Sequence, residues 1–398
     1  MSEPITPRSF QAPASTDRVQ RQAIVAAAAG IVLMLLGAFV DVEQLFRSYL
    51  VAFVFWTSVA LGCLGLLMVH HLSGGAWGLV IRRILEAAVR TLPVMAVVFL
   101  PLIAGLGHVY EWAHPEVVAA DPILLGKQPF LNAPFWIVRS LIYFAIWSTM
   151  ALLLTKWSAE QDAGRPGAPL DHRFARLSGP GLVVYGLTVS LASIDWIMSV
   201  DPHWFSTIYG FIMIGGAGLA ALAFVILTIF ALMREAPMAG VLQEKHLHDL
   251  GKLTFAFVML YAYFSFSQFL IIWSANLPEE IPWYLQRYQG SWELLFLLLV
   301  FGHFVLPFAI LLSANIKRNL KRLSLVAAWL FVMRILDVLF QVAPYFHDTL
   351  TIHWMDVAAV GGIGGVWMTA FAFFLKGRPL LPVNDPHLHE ALADHGTH

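Results

Sequence analysis

Apolar residues in this chain gather into long, nearly unbroken runs rather than the narrow stripes of a soluble helix. Ten runs stand out, near 23–41, 48–70, 90–108, 133–155, 178–200, 205–232, 252–274, 291–313, 322–343 and 355–375. Each approaches the length needed to cross a bilayer, about 20 apolar residues. A backbone in lipid must satisfy its own N–H and C=O groups, so each run predicts a helix. The stretches SGGAWG, AGRPGAP, NLPEEIP and GRPLLPVNDP supply turn residues between runs. The expected fold is all-α and integral to the membrane. A disordered polar tail covers 1–22, a ten-helix membrane domain 23–376, and a second solvated tail 377–398. The first run lacks a small-x-small cleavage pattern at its far end and more runs follow, so it reads as an uncleaved signal-anchor.

Composition sharpens the class. The 398 residues are 59% hydrophobic and 12% charged, against about 25% charged in soluble domains. The single cysteine, Cys63, excludes an internal disulfide, a cysteine-rich zinc site and an iron–sulfur cluster ligated by this chain alone. There is no C-x-x-C-H for covalent haem, no P-loop and no dinucleotide-binding glycine fingerprint. His70, His71, His108 and His303 fall at different depths, so they form no axial pair for a b-type haem. No metal site and no cofactor are expected in this chain. A net charge of -1 gives no sign of a nucleic-acid partner. The segment GGIGGVWM in the last run suits close helix packing through small residues.

The basic residues set an orientation. Of 24 Lys and Arg, eighteen lie at the termini and in alternate loops, three in the opposite loops, and three (Arg90, Arg139, Arg334) within runs. The positive-inside rule then places both termini in the cytoplasm. A short repeat relates DWIMSVDPHWF, beginning at Asp195, to DVLFQVAPYF, beginning at Asp337. In each, proline follows Asp after seven residues and precedes two ring-bearing residues. The helices carrying them run in the same direction, which predicts two similar four-helix bundles, approximately 48–200 and 205–343, with the first and last helices peripheral.

Ionisable side chains inside a bilayer are costly unless paired or hydrated. Asp195 lies six residues before a turn, about 9 Å deep; Asp337 lies at a similar depth, with Arg334 three positions earlier on the same face. Arg139, Gln268, His303 and the hydroxyls of Tyr261, Tyr263, Ser265 and Ser267 also sit in runs, mostly toward the non-cytoplasmic side. The cytoplasmic half reads as comparatively dry. Two readings stand. Arg139 and Arg334 neutralise Asp195 and Asp337 as structural pairs, or the carboxylates, His303 and the hydroxyls form a proton path, with Asp195 first because Asp201 and His203 lie on its route outward. Asp201 and His203 suit the mouth of such a path, a turn cap or a partner contact. His303 suits a hydrogen-bonded core position equally well.

The motifs SIDWIMSVDPHWFSTIYG (193–210) and FSQFLIIWSANLPEEIPWY (266–284) resemble those of a ten-helix membrane subunit of alternative complex III, the sister of the subunit better supported as the quinol site. That complex is a bacterial quinol:cytochrome c oxidoreductase. The likeness extends over roughly 22–380, and the ten-helix plan is also similar to polysulfide-reductase membrane subunits. The resemblance implies a multi-pass subunit of the bacterial inner membrane with no redox centre of its own and quinone binding left open. It implies partners: a multihaem c-type cytochrome, an iron–sulfur subunit and the sister ten-helix quinol subunit, with lipid around them. It also implies a part in proton translocation. Within it, Glu279 and Glu280 read as contacts to extrinsic subunits or as a solvated loop. A secondary transporter and a purely structural anchor are the competing readings.

Overall fold

The structure, a computed structural model, describes residues 10–164, 170–233, 235, 238–388 and 392. Ten helices are long and apolar enough to span a membrane. They are α1 (Ser15–Val40), α2 (Val42–Ser73), α3 (Ala76–Ala104), α4 (Ala133–Asp162), α5 (His172–Val200), α6 (Tyr209–Leu232), α7 (Glu244–Ala275), α8 (Trp292–Leu311), α9 (Leu320–Tyr345) and α10 (Trp354–Lys376). The chain is an all-α, multi-pass membrane protein, with no strand among the described residues. Ten crossings put both chain ends on one side, the terminal face; the other is the distal face.

Helices α2 and α6 form the axis, and they are the two most buried spans. They meet where neither carries bulk: a Cβ at Gly62 would lie 2.0 Å from the main-chain oxygen of Ala217. Helices α3, α4 and α5 complete one bundle around α2, and α7, α8 and α9 the other around α6. Outside them α1 and α10 pair along glycines. A Cβ at Gly30 would fall 2.2 Å from Cα of Gly362, and one at Gly365 2.3 Å from N of Ala27. Such close backbone approach is how helices associate where lipid removes the hydrophobic drive. Helix α10 is tied to α2 by Ser48 donating to Asp356 at 2.5 Å and Trp56 donating to the Val360 carbonyl at 2.9 Å.

Several boundaries differ from those the hydropathy pattern suggests. Helix α1 begins at Ser15, inside the stretch read as tail; residues 1–9 lie outside the described residues. The third span is Ala76–Ala104 rather than 90–108. Its first segment, Ala76–Val89, carries Arg82, Arg83 and Glu86, all buried. These charges neutralise one another, so a helix that an apolar window rejects is nevertheless packed. Arg82 Nε meets Glu86 at 2.9 Å and Arg83 Nη1 meets it at 2.6 Å; Arg83 also pairs with Asp162, and Arg82 Nη1 reaches Asp385 at 2.8 Å. The terminal half of the molecule is therefore not dry. The last tail is not simply solvated either. Leu380, Leu381 and Leu388 are buried, and Leu380 N–H donates to the Phe10 carbonyl at 2.7 Å. Each buried leucine contributes roughly 1.5–3 kcal/mol. Residues 389–391 and 393–398 of that tail lie outside the described residues.

Candidate functional site

Each bundle buries one carboxylate toward the distal face, and the two differ in how completely they are satisfied. In the first bundle α5 delivers Asp195, which has no solvent exposure. Arg139 of α4 grips it with two prongs, Nε to Oδ2 at 2.9 Å and Nη2 to Oδ1 at 2.7 Å. Tyr143, one turn along α4, donates to Oδ2 at 2.8 Å. The third guanidinium nitrogen of Arg139 donates to the Phe130 carbonyl at 2.9 Å, and Phe130 and Phe135 cover the ion at 3.9 and 4.2 Å. The Asp195 main-chain oxygen accepts from Trp136 at 2.8 Å and from Ser199 at 2.6 Å. A bidentate fork of this kind is the strongest form of such a pair. Tyr143 in turn packs on Trp147 and Trp196, whose ring also meets Phe53, Phe99 and Phe144. This is a closed, fully bonded pair.

The second bundle holds Asp337 on α9, next to α6, α7 and α8. Tyr261 of α7 donates to Oδ1 at 2.6 Å, and Arg334 Nη1 donates to Oδ2. Here the guanidinium makes one prong only. Arg334 has no solvent exposure, yet its Nε and Nη2 have no partner. The His303 ring of α8 lies tilted against Tyr261, ring centres 4.7 Å apart, and its Nε2 is also unpartnered in a buried site. A buried polar group without a partner costs about 1–3 kcal/mol, and more when charged. Three such nitrogens thus lie within electrostatic reach of one carboxylate, where most buried polar groups would be hydrogen-bonded. Room for the guanidinium comes from Gly216, where a Cβ would lie 2.4 Å from the Arg334 Cζ.

The backbone at His303 is itself unusual. Residues Leu299–Val305 form a π-helical turn, with Leu306 N–H bonded to the Phe301 carbonyl. Pro307 explains it. Proline has no N–H for the His303 carbonyl four residues back, and its ring clashes with that carbonyl in a regular helix. The wider turn relieves the clash, and such turns are frequent at functional sites. Trp329 of α9 uses the loosened backbone, donating to the Gly302 carbonyl at 2.6 Å.

Polar groups continue from this cluster toward the distal face. Tyr209, at the start of α6, lies within electrostatic reach of Arg334, Asp337 and Arg287 and donates to Gln341 at 3.2 Å. Arg287, 1% exposed, meets no carboxylate at ion-pair distance among the described residues; it is held by the carbonyls of Phe340, Trp283 and Gln341 at 3.2, 3.0 and 3.0 Å and lies 3.7 Å over the Trp283 ring. Asp201, partly exposed in the turn after α5, is the acid that acts on it. Burial raises the Asp201 carboxyl above the usual carboxylate range, partly offset by Arg287 and by the Trp204 and His203 N–H groups. His203 is exposed and bonds Asp121 at 2.6 Å, a contact that holds the Asp121 carboxyl below its ordinary value. Gln268 is buried but bonds Ser206 at 2.7 Å and the Tyr284 hydroxyl at 3.2 Å, beside the Asp337 cluster rather than in it. Glu279 is exposed and Glu280 partly so.

The expected pairs, Arg139 with Asp195 and Arg334 with Asp337, are thus both in contact. Tyr143, Tyr209, Arg287 and Gln341 escape sequence reasoning because their partners lie on other helices. Arg287 carries one legible signal, Trp283 four residues earlier on a proline-started helix. The chain matches no family model and none of the curated proteins with which it was compared.

Proposed function

We propose that this chain is the redox-inactive membrane subunit of a quinol:cytochrome c oxidoreductase of the alternative complex III kind, and that its second bundle carries the proton path. The motifs at 193–210 and 266–284 support the first part. One observation carries the second: the unpartnered nitrogens of Arg334 and His303 gather round Asp337, in line with Tyr209, Gln341, Arg287 and Asp201. A path needs groups that can exchange partners, and bonds already complete cannot do so without breaking. By that criterion Asp337 ranks before Asp195. On this reading the protein resides in the bacterial inner membrane with its termini in the cytoplasm. Glu279 and Glu280 face extrinsic partners, and haems and iron–sulfur clusters reside in other subunits. The closed Asp195 pair offers nothing to a quinone.

Paired neutralisation tests the path while keeping charge balance. Asp337→Asn with Arg334→Gln should assemble and oxidise quinol but release fewer protons per electron. Asp195→Asn with Arg139→Gln should assemble and keep full proton release. Equal coupling in the two double variants would remove the path from the second bundle. The interrupted α8 also favours a second reading, since transporters bind substrate at broken helices near mid-membrane. Purification in mild detergent separates the two: a respiratory subunit emerges with haem-bearing partners, a transporter alone or as a homo-oligomer.

A further inference from the structure

The distal ends of α5 and α9 both leave main-chain carbonyls to be satisfied, and the two bundles use different donors for them. The sequence repeat makes Ser199 of α5 and Gln341 of α9 equivalent, each four positions after its aspartate. In the first bundle the donors are neutral. The carbonyls of Asp195, Trp196 and Ser199 accept from Trp136 at 2.8 Å, Tyr110 at 2.8 Å and Trp112 at 3.0 Å. In the second bundle the donor is a cation. Arg287 gives Nε to the Phe340 carbonyl at 3.2 Å and Nη2 to the Gln341 carbonyl at 3.0 Å, and its Nη1 returns to Trp283 of its own short helix at 3.0 Å. The Phe340 carbonyl needs such a donor because Pro344, four residues on, has no N–H.

Capping alone does not call for a buried charge, since the first bundle manages without one and burying a charge is costly. The cation is also held still. Its guanidinium lies 3.7 Å over the Trp283 ring, and Trp204 stacks on that same ring at 4.7 Å. Each of its three nitrogens is bonded to a neutral carbonyl, so no contact acid among the described residues cancels the charge. Its neighbours are specific. Tyr209 of α6 and Asp201 of the turn after α5 lie in its field, with Tyr284 of its own helix. Tyr209 lies in turn in the field of Arg334 and Asp337. From Asp337 through Tyr209 to Asp201, Arg287 is the shared neighbour of the last two.

We propose, granted the proton path through the second bundle, that Arg287 is its electrostatic barrier: a fixed cation at the distal end that keeps protons and other cations from returning to Asp337. An arginine lining a pore excludes protons and cations in the same way. The barrier is equal in both directions, but only outward passage is driven by the oxidation.

The test uses full-length protein, purified in mild detergent with the subunits that accompany it and sealed into liposomes holding a pH-sensitive dye. An imposed pH difference then reports passive proton leak. Wild type should be tight. Arg287→Gln should leak at least tenfold faster, and adding Asp337→Asn with Arg334→Gln should return the leak to the wild-type rate. Arg287→Lys separates charge from capping. A buried lysine keeps its charge in acid and loses it as the pH rises, so this variant should be as tight as wild type at about pH 6 and leak at least tenfold faster than wild type at about pH 9. Melting temperatures show which variants are folded. A folded Arg287→Gln variant as tight as wild type overturns the proposal, as does a folded Arg287→Lys variant whose leak relative to wild type is the same at both pH values. A leak that survives Asp337→Asn with Arg334→Gln also overturns it. Proton release in that double variant with Arg287 intact tells the two failures apart: unchanged release removes the path itself, and reduced release removes only the barrier.

Discussion

Asp195 and Asp337 are both buried beside an arginine and a tyrosine, so their difference lies in the neighbours' remaining bonds. Arg334 keeps two unpartnered nitrogens because α6 brings Gly216 to its face instead of an acceptor. Gly216→Ala should therefore push a methyl into the guanidinium and cost about 1–3 kcal/mol as overpacking of a site with no slack. A fall in melting temperature checks this; an unchanged one would mean Arg334 has a second place to go. Asp201 supports a pH prediction. Its folded-state carboxyl is raised by burial, so folding takes up a proton between its unfolded and folded values. Stability from this group is complete below the unfolded value and lost as pH rises through the folded one. Asp201→Asn should stabilise the protein relative to wild type at pH 7, and the gap should narrow as the pH is lowered toward 4. A gap that widens on acidification would reverse the assigned sign.

At the scale of elements, the π-turn in α8 links proline chemistry to the position of His303. Pro307→Ala restores an N–H to the His303 carbonyl and allows a regular helix. Removing one residue's worth of bulge rotates the two halves of α8 by about 100° relative to each other. His303 should swing away from Tyr261, and proton release per electron should fall severalfold while the complex still assembles. Proton release at the wild-type level would separate the bulge from the path. Pro307 is visible in the sequence, but the turn it causes is not, because its cost can be met by a kink, a bulge or a break. Likewise the existence of ten spans follows from apolar run length alone, whereas the start of α3 does not. Hydropathy scores Arg82, Arg83 and Glu86 one at a time, and only their mutual pairing makes them compatible with burial. The depth of Asp195 and Asp337 is legible by counting residues from their turns. Their unequal satisfaction is not, since it depends on how α4, α6 and α7 are rotated about their axes.

For the whole molecule, the excess of basic residues on the terminal face predicts which side of the membrane each loop occupies. Cys63, the single native cysteine, is fully buried, so an introduced thiol reports without background. A cysteine at Ser206, in the distal turn between α5 and α6, should react with a membrane-impermeant maleimide from the non-cytoplasmic side of sealed vesicles. Labelling only from the cytoplasmic side would invert the whole topology.

The pairing of α1 with α10 bears on how the protein is made. The contact between them is more extensive than between any other two of the described helices, yet of the ten spans α1 is the earliest in the sequence and α10 the latest. At about 5–20 residues per second, the ribosome needs on the order of tens of seconds to travel between them. Throughout that interval the glycine face of α1, with Gly30 and Ala27, has only lipid or an insertion chaperone to rest against. Sealing of that face by Gly362 and Gly365 is therefore a late step of assembly, because it waits for α10 to insert.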